Sequence, residues 1–301
     1  MDQRNVLMRD YKNSQWIKNC EESFAKQIYD ITADIAKKEG VRVIRLFGPS
    51  CSGKTTTARH LISFFRKFGK RAHVISIDDF FYDRDYLKEL SRKKGLIDID
   101  YDSPDTIDCE GLGRFVEEIF TDDKVVCPVF DFKTGMRAGY KTMEIDGDDI
   151  FIFEGIQAVY PKVVKMFEQH DCASIYILPQ SDILAGGERF ESNEIRLMRR
   201  LVRDYNFRNT TPDITFDNWD SVRDNEEKNI FPYVGGVDYV VNSSMPYEIG
   251  ILKPYLTAIL SDFDACDPHY GTAKTIMERI SRTEAIPSEL ILDGYLYKEF
   301  V

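Results

Sequence analysis

A glycine-rich loop gives this sequence its clearest chemical signal. Residues 48–55 read GPSCSGKT and match the pattern GxxxxGK[ST]. In this pattern the glycines let backbone N–H groups turn inward around phosphate oxygens, and the following helix adds the positive end of its dipole. Lys54 is predicted to reach the β- and γ-phosphates of a nucleotide, and Thr55 to bind Mg²⁺ through its hydroxyl group. The predicted nucleotide-binding residues are Gly48, Pro49, Ser50, Cys51, Ser52, Gly53, Lys54, Thr55 and Thr56.

Two acidic positions follow apolar segments that are typical of buried strands. Asp78 and Asp79 come just after HVISI, and Glu154 ends FIFE. The carboxyl ends of parallel strands surround the ligand in such folds. A carboxylate at Asp78 could accept a proton from a substrate hydroxyl or hold a metal-bound water, and Glu154 has the place of a Walker-B acid near Mg²⁺. The alternative for the aspartate pair is capping of the next helix, with one residue capping while the other does the chemistry.

An arginine cluster stands out in a chain that is acidic as a whole. Its five arginines, within thirteen positions, are Arg196, Arg199, Arg200, Arg203 and Arg208. On a helix the first four form one broad stripe, and guanidinium groups suit phosphate oxygens. We therefore predict that the cluster covers a transferring phosphoryl group and disperses its charge. The alternative is a solvated basic face, or intrahelical pairing with Glu194 and Asp204.

The elements that must position these residues alternate along the chain. Apolar residues at helical spacing predict a leading amphipathic helix over 16–38, and the run VRVIRLF at 41–47 predicts a buried strand. A predicted helix over 55–67 and the strand HVISI follow the glycine-rich loop. Strand, loop, helix and strand form a βαβ unit. The unit predicts an α/β fold of the P-loop NTPase type, with a parallel β-sheet flanked by helices.

The same alternation continues to about residue 262. Further strands are predicted at 124–130, 149–153, 173–178 and 237–241, and helices at 110–120, 160–168, 193–207, 218–229 and 247–261. The predicted organisation is an N-terminal helical segment over 1–40, a P-loop domain over 41–262 and a short C-terminal extension over 263–301. Neither pattern nor composition assigns a role to the extension.

Composition excludes several classes of protein. The 301 residues carry a formal net charge of −11, which argues against binding of duplex nucleic acid. The longest apolar runs span about four residues, far below the roughly 18 that a membrane span needs, and the N-terminus has no apolar segment typical of a secretory signal. The six cysteines have irregular spacing without a CxxC pair, which indicates free thiols in a reducing compartment. We expect a cytoplasmic protein with a small-molecule substrate, and homo-oligomer formation stays open.

Several ordered blocks together resemble the uridine kinase and phosphoribulokinase family of P-loop kinases. After the glycine-rich loop they read IDDFFYDRD, IDYDSPDTID, CPVFDFKTGMR, FIFEGI and RLMRRLVRDYNFR, and EEKNIFPY and NSSMPYEIGILKPYL extend the likeness to about residue 260. These last segments and FDFKTG are most similar to bacterial and protist proteins called uridine kinases. The resemblance implies a phosphotransferase that uses ATP and Mg²⁺ and has an alcohol group as acceptor. The implied reaction moves the γ-phosphoryl group of ATP to the 5′-hydroxyl of a nucleoside, with uridine favoured.

The resemblance also implies roles for individual residues. The family's catalytic aspartate falls on Asp78, and the implied Mg²⁺ site holds Thr55 and Glu154 with Asp78 nearby. Its ribose-binding aspartate falls on Asp102, and Tyr82 is expected to contact the substrate. The arginine motif belongs to a flexible, arginine-rich lid. The implied assignments are catalysis for Lys54, Arg199 and Arg203, ATP binding for Arg200 and Arg208, and substrate binding for Arg196.

One block departs from the family pattern. Where uridine–cytidine kinases hold the pyrimidine with a tyrosine and a histidine, this chain has Phe130 and Gly135, while Asp131 and Arg137 remain. Phe130 can still stack on a ring, so Phe130, Asp131 and Arg137 are expected to bind the substrate. The polar contact of the histidine with the base is missing. The resemblance therefore implies the reaction type more strongly than the base.

Two alternatives to a uridine kinase stay open. One is a kinase for another hydroxyl substrate, such as a sugar phosphate, pantothenate or a different nucleoside. A sugar phosphate would need extra cations near Asp102, which Arg137 and Lys133 could supply. The other is a non-catalytic ATP-binding regulatory protein. Against it stand four intact residues, Lys54, Thr55, Asp78 and Glu154, because a decayed enzyme would tend to lose one of them.

Overall fold

The structure is a computed structural model that describes residues 3–93, 95, 99, 101, 103–132 and 134–301. Two predicted site residues, Asp102 and Lys133, lie outside the described residues. In chain order the longer elements are α1 (Gln3–Ile35), β1 (Val43–Phe47), α2 (Lys54–Lys67), β2 (Ala72–Ser76), α3 (Arg84–Lys93), α4 (Cys109–Thr121), β3 (Lys124–Asp131), β4 (Met136–Glu144), β5 (Ile150–Glu154), α5 (Pro161–Val164), β6 (Cys172–Leu178), β7 (Ile183–Ala185), β8 (Glu188–Phe190), α6 (Ser192–Arg208), α7 (Pro212–Asn229), β9 (Tyr239–Asn242), α8 (Glu248–Leu260) and α9 (Tyr270–Ser281).

Five of these strands form a parallel sheet in the order β2–β5–β1–β6–β9. The register places Ser76 of β2 and Leu46 of β1 on either side of Glu154, the last residue of β5. The ends of these three strands therefore meet at one edge of the sheet. The predicted α/β fold with a parallel sheet flanked by helices is confirmed.

Strand β1 shows how the sheet is buried on both faces. Its side chains alternate in direction, as in any strand. Ile44 and Leu46 pack into the apolar core that includes α1 and α2, whereas Val43 and Phe47 pack into the core on the other face. Burial on both faces explains why apolar residues stand at neighbouring positions on either side of Arg45, rather than at every second position.

The leading helix α1 packs through its periodic apolar residues, as its spacing predicts. Ile17, Phe24, Ile28 and Ile35 are almost completely buried against the core shared with α2. The helix begins earlier than predicted, at Gln3, and ends at Ile35 rather than at residue 38. Within the described residues, no helix is long and apolar enough to cross a membrane.

The hairpin formed by β3 and β4 lies outside the parallel sheet. The strand predicted at 124–130 is present, but it pairs antiparallel with β4, which the sequence analysis did not predict. Most side chains of β4 are exposed or half-buried, so the strand carries no apolar alternation that could reveal it. The helix predicted over 160–168 is also shorter, because α5 gives way to a 3₁₀ turn over Lys165–Phe167.

The last forty residues contribute to the same core as α1 and α2. After α9 the chain forms two 3₁₀ turns, Ser288–Leu290 and Leu296–Glu299. Leu296, Tyr297 and Phe300 are at most 1% exposed. This packing brings the end of the chain against the start of α2.

Candidate active site

The glycine-rich loop between β1 and α2, residues 48–55, has the backbone of a phosphate-binding loop. A Cβ atom at Gly48 would lie 2.0 Å from the carbonyl oxygen of Ile177, so only glycine fits there. Gly53, directly before α2, has φ +97°, a left-handed conformation that glycine adopts without strain. Cys51 also has positive φ, at 59°. The loop therefore turns tightly before the first N–H groups of α2.

Lys54 begins α2 and folds back over this loop. Its Nζ atom donates hydrogen bonds to the carbonyl oxygens of Gly48, at 2.9 Å, and Pro49, at 3.1 Å. Burial lowers the pKa of the Lys54 ammonium, while the nearby carboxylates of Glu154 and Asp78 act in the opposite direction. A cation in this place can exchange its carbonyl partners for phosphate oxygens.

Asp78 faces Lys54 from a 3₁₀ turn, Ile77–Phe80, that follows β2. Its Oδ1 atom accepts a hydrogen bond from Gln157 Nε2 at 2.9 Å. Burial raises the pKa of the Asp78 carboxyl, and the hydrogen bond from Gln157 and the charge of Lys54 oppose this shift. A carboxylate whose pKa is raised is a better proton acceptor than a solvated one.

Glu154 completes the acidic edge at the end of β5. The Ser76 hydroxyl donates a hydrogen bond to its Oε1 atom at 3.0 Å. Burial raises the pKa of the Glu154 carboxyl to about 7, and the negative charge of Asp78 adds to the shift. The two acids thus share one buried site with Lys54, which partly neutralises both.

Asp79 has a different task from its neighbour. Its Oδ1 atom accepts a hydrogen bond from the backbone N–H of Phe130 at 3.0 Å, and its Oδ2 atom lies 3.5 Å from Lys141 Nζ. Both partners belong to the hairpin of β3 and β4. Asp79 therefore fixes the hairpin to the sheet edge, while Asp78 lines the cavity.

A cavity of about 1000 Å³ opens in front of these groups. The phosphate-binding loop from Ser50 to Thr55 lines one end, together with Asp78 and Glu154. Three of the predicted arginines, Arg200, Arg203 and Arg208, line the cavity from α6. Arg200 donates to the Ser50 hydroxyl at 3.0 Å, and Arg203 is bonded to Asp204 at 2.6 Å.

The other two arginines of the cluster lie behind the phosphate-binding loop. Arg199 is completely buried and forms hydrogen bonds with Glu248 at 2.8 and 3.0 Å and with the Cys51 carbonyl at 3.2 Å. Arg196 is 1% exposed, pairs with Glu226 and donates to the Ser50 carbonyl at 3.1 Å. One face of α6 thus holds the carbonyl groups of the phosphate-binding loop, and another face lines the cavity.

The far end of the cavity has aromatic walls. Phe130, predicted from sequence, lies with its ring 5.5 Å from that of Phe81 and 5.2 Å from that of Phe132. Tyr101 and Asp131 also line this end. The walls offer flat apolar surfaces to a ring, within the same cavity as Asp78.

Besides Arg196, two further predicted substrate contacts do not line this cavity. Tyr82 stacks on Tyr86, with ring centroids 4.5 Å apart. Arg137 extends toward Tyr140, whose hydroxyl is 3.3 Å from Nη1, and toward Asp108 at 3.8 Å. In the described part of the chain, Phe81 rather than Tyr82 is the ring of this segment that reaches the cavity.

Gly135 has a backbone conformation that explains why no larger residue stands there. Its φ is +69°, and a Cβ atom would lie 2.3 Å from Arg84 Nε. The Gly135 carbonyl also accepts a hydrogen bond from the backbone N–H of Arg84 at 2.7 Å. The Arg84 side chain therefore occupies the space beside this turn and lines the cavity.

The residues present fit a nucleotide with its magnesium ion. The Ser52 hydroxyl of the loop is buried without a hydrogen-bond partner. Among the described residues no group of three or more His, Cys, Asp or Glu side chains could hold a metal ion by itself. Mg²⁺ commonly binds through one or two protein groups together with substrate phosphates and water, and Thr55 and Glu154 supply such groups here.

Several cavity residues had no signal in the sequence analysis. Gln157 positions Asp78 through a hydrogen bond between segments 79 positions apart, which no sequence pattern indicates. Arg84 stands in the block IDDFFYDRD but received no role there, and Glu299 belongs to no motif. Glu299 reaches the cavity only because the end of the chain packs against α2.

Comparison with known proteins assigns the family. The sequence profile of the Phosphoribulokinase / Uridine kinase family matches residues 43–248. The chain belongs to this family. A uridine kinase of Ureaplasma parvum is 28% identical over 179 residues, which are 60% of this chain and 76% of that protein. An inorganic pyrophosphatase of Arabidopsis thaliana, TTM2, is 26% identical over 168 residues, 56% of this chain and 20% of that protein.

A solved structure supports the same fold. The protein from Silicibacter sp. TM1040, named for a fructose transport system kinase, aligns with a TM-score of 0.52 and 19% identity over 71% of this chain and 98% of its own. The predicted P-loop kinase fold is therefore confirmed. Family membership makes the chain a P-loop kinase that transfers a phosphoryl group to an alcohol, and ATP and Mg²⁺ are the general co-reactants of such kinases.

Proposed function

We propose that this kinase transfers the γ-phosphoryl group of ATP to the 5′-hydroxyl of a nucleoside, with uridine as the preferred acceptor. The observation that carries the proposal is the single cavity that joins Lys54 and Asp78 at one end to aromatic walls at the other. A nucleoside has the matching parts, a primary hydroxyl and a flat base. Because the chain is similar to uridine kinases, uracil is the first candidate for this base.

The proposed roles follow from the contacts. Gln157 holds the Asp78 carboxylate at 2.9 Å, so that it faces the acceptor hydroxyl and takes its proton as the new bond to phosphorus forms. Lys54 binds the β- and γ-phosphate oxygens in exchange for its own loop carbonyls. Arg200 and Arg203 cover the transferring group and exclude water. Thr55 and Glu154 would hold Mg²⁺, which would supply further charge neutralisation at the phosphates.

The ring of the acceptor would lie among Phe81, Phe130 and Phe132. Phe130 is 6% exposed and belongs to the core, whereas Phe132 is 48% exposed, so one wall is fixed by packing and the other is open to solvent. Stacking on such walls favours any planar base. Selectivity between bases must then come from polar groups at the same end of the cavity, among which Asp131 and Arg84 are placed.

A second candidate acceptor has a negative charge. Arg84 and Arg208 both line the aromatic end, and Arg208 lies over the Phe132 ring at 5.9 Å. Guanidinium groups in this place suit a phosphate or carboxylate on the acceptor. A hydroxyl-bearing sugar phosphate or carboxylic acid is therefore the alternative substrate class.

An acceptor panel tests the proposal. Purified protein is incubated with Mg²⁺–ATP and one compound at a time: uridine, cytidine, adenosine, a sugar phosphate and pantothenate. ADP release and the mass of the product are measured, with Lys54→Ala as the control for contaminating kinases. Formation of a nucleoside 5′-monophosphate supports the proposal. Turnover confined to an anionic acceptor would replace it by the second candidate, and ATP binding without turnover on any acceptor would favour a regulatory protein.

A further inference from the structure

The last turn of the chain reaches the phosphate-binding loop. In the 3₁₀ turn Leu296–Glu299, the Glu299 Oε1 atom accepts a hydrogen bond from the backbone N–H of Thr56. The side chain of Leu296 covers Gly53, since a Cβ atom there would lie 2.5 Å from Leu296 Cδ1. Glu299 also lines the cavity that holds Lys54, Asp78 and Glu154.

The Thr56 N–H group belongs to the anion-binding end of α2. The first turn of a helix has N–H groups without partners inside the helix. In α2 the helical hydrogen bonds begin with the one from the Thr57 N–H group to the Gly53 carbonyl, at 3.1 Å, so the Thr56 N–H group precedes them. N–H groups at the start of the helix after a glycine-rich loop bind nucleotide phosphates. The Glu299 carboxylate therefore occupies a position that suits a phosphate oxygen.

The charge of Glu299 acts on the same groups that a nucleotide needs. Its carboxylate is close enough to contribute to the shifted pKa values of Lys54 and Glu154. Glu299, Asp78 and Glu154 together place three carboxylates around Lys54. A polyphosphate would add further negative charge to this site. It cannot reach the Thr56 N–H group while the Glu299 carboxylate occupies it.

The turn is anchored on one side of Glu299 by buried contacts. The Leu296 N–H group donates to the Glu21 carboxylate at 3.1 Å, and the Tyr297 hydroxyl accepts from Arg199 Nε at 2.9 Å. Glu299 itself is only half-buried. Rotation of its side chain releases the Thr56 N–H group without moving these anchors.

We propose that Glu299 is a built-in competitor of the nucleotide: its carboxylate holds the Thr56 N–H group in the free protein, and the phosphates of ATP must displace it. The proposal rests on the nucleotide-binding part of the proposed function and is independent of the acceptor. The apparent affinity for ATP is then reduced by the fraction of molecules in which Glu299 is bound. The turn that carries Glu299 is thus an autoinhibitory contact.

Equilibrium binding separates this role from a structural one. Wild type, Glu299→Ala and Glu299→Gln are titrated with ATP, tripolyphosphate and adenosine. A hydrogen bond to a charged acceptor shifts an equilibrium by about a factor of ten, so Glu299→Ala should bind ATP and tripolyphosphate about tenfold more tightly. The affinities of Glu299→Gln for ATP and tripolyphosphate should lie between those of wild type and Glu299→Ala. Its amide oxygen still accepts a hydrogen bond from Thr56 but carries no charge. The affinity for adenosine, which has no phosphate, should stay the same in all three.

Glu289→Ala is the matched control, because Glu289 is exposed in the same C-terminal segment. It should leave all three affinities unchanged, and thermal unfolding checks that each variant is folded. Equal affinity of wild type and folded Glu299→Ala for tripolyphosphate, or weaker binding by the variant, would overturn the proposal while leaving the kinase assignment intact. If wild type itself does not bind ATP, both the proposed kinase function and the proposed role of Glu299 are overturned.

Discussion

Replacing Arg199 with methionine tests whether this arginine acts through the phosphate-binding loop or directly on the nucleotide. Its side chain and that of Glu248 are both 0% exposed. Besides Glu248 it bonds to the Tyr297 hydroxyl at 2.9 Å and the Ser243 carbonyl at 2.7 Å. Removing one partner of a buried ion pair costs roughly 3–5 kcal/mol, out of a total of about 5–15 kcal/mol for an ordinary domain. We therefore expect Arg199→Met to lose a large part of the free energy of unfolding.

The assay is urea denaturation of wild type, Arg199→Met, Glu248→Gln and the double variant. Burial already raises the pKa of the Glu248 carboxyl, and Arg199 opposes this shift. Without Arg199 the carboxyl is left unpaired, so the double variant should recover about 1–2 kcal/mol relative to Arg199→Met. Arg189→Met is the control, because Arg189 is 65% exposed in its ion pair with Asp182, and such pairs contribute at most about 1 kcal/mol.

Turnover measured on the same proteins completes the test. If Arg199 only supports the loop, any loss of activity should follow the loss of folded protein and should be partly restored in the double variant. An Arg199→Met protein with the stability of wild type and almost no turnover would refute this reasoning. That result would instead favour the catalytic role that the family resemblance implies.

Four other substitutions give separate checks on the site. Lys54→Ala should abolish phosphoryl transfer in a folded protein, because several kcal/mol of transition-state stabilisation are lost, and wild-type turnover would contradict the loop assignment. Asp78→Asn should lower turnover strongly with little change in ATP binding, whereas Asp79→Asn should mainly lower stability by about 1 kcal/mol, since it weakens contacts to the hairpin. Turnover and thermal unfolding are measured for both variants. A stability loss in Asp78→Asn with a turnover loss in Asp79→Asn would exchange the roles of the two aspartates. Gly135→His should destabilise the fold by about 1–3 kcal/mol without improving uridine turnover, because φ is +69° and Arg84 fills the space; a stable variant with faster uridine turnover would argue against this.

The sequence predicted the parts of the site that depend on short stretches of chain. The phosphate-binding loop is one such stretch, since its glycines, its lysine and the start of α2 are adjacent. Asp78 and Glu154 were also predictable, because each ends an apolar strand and parallel strands end at one edge of a sheet. The tertiary structure brings both within the electrostatic reach of Lys54.

The arginine cluster shows where such prediction ends. A helical stripe places Arg199 and Arg203 on one broad face, but it does not say which part of that face meets the loop and which meets the cavity. The packing of α6 against α8, where Glu248 lies, decided this. The hairpin strand β4 was missed for a related reason, because its mostly exposed side chains show no apolar alternation.

The sequence by itself determined the fold class, the phosphate-binding loop and the acids at the strand ends, because each rests on local patterning or on a general rule of parallel sheets. Only the tertiary structure decided that Gln157 orients Asp78, that Arg84 fills the space beside Gly135, and that Glu299 meets Thr56 from the far end of the chain. These contacts join segments far apart in sequence. No periodicity or spacing encodes them, since they arise only when the helices and strands pack into one core.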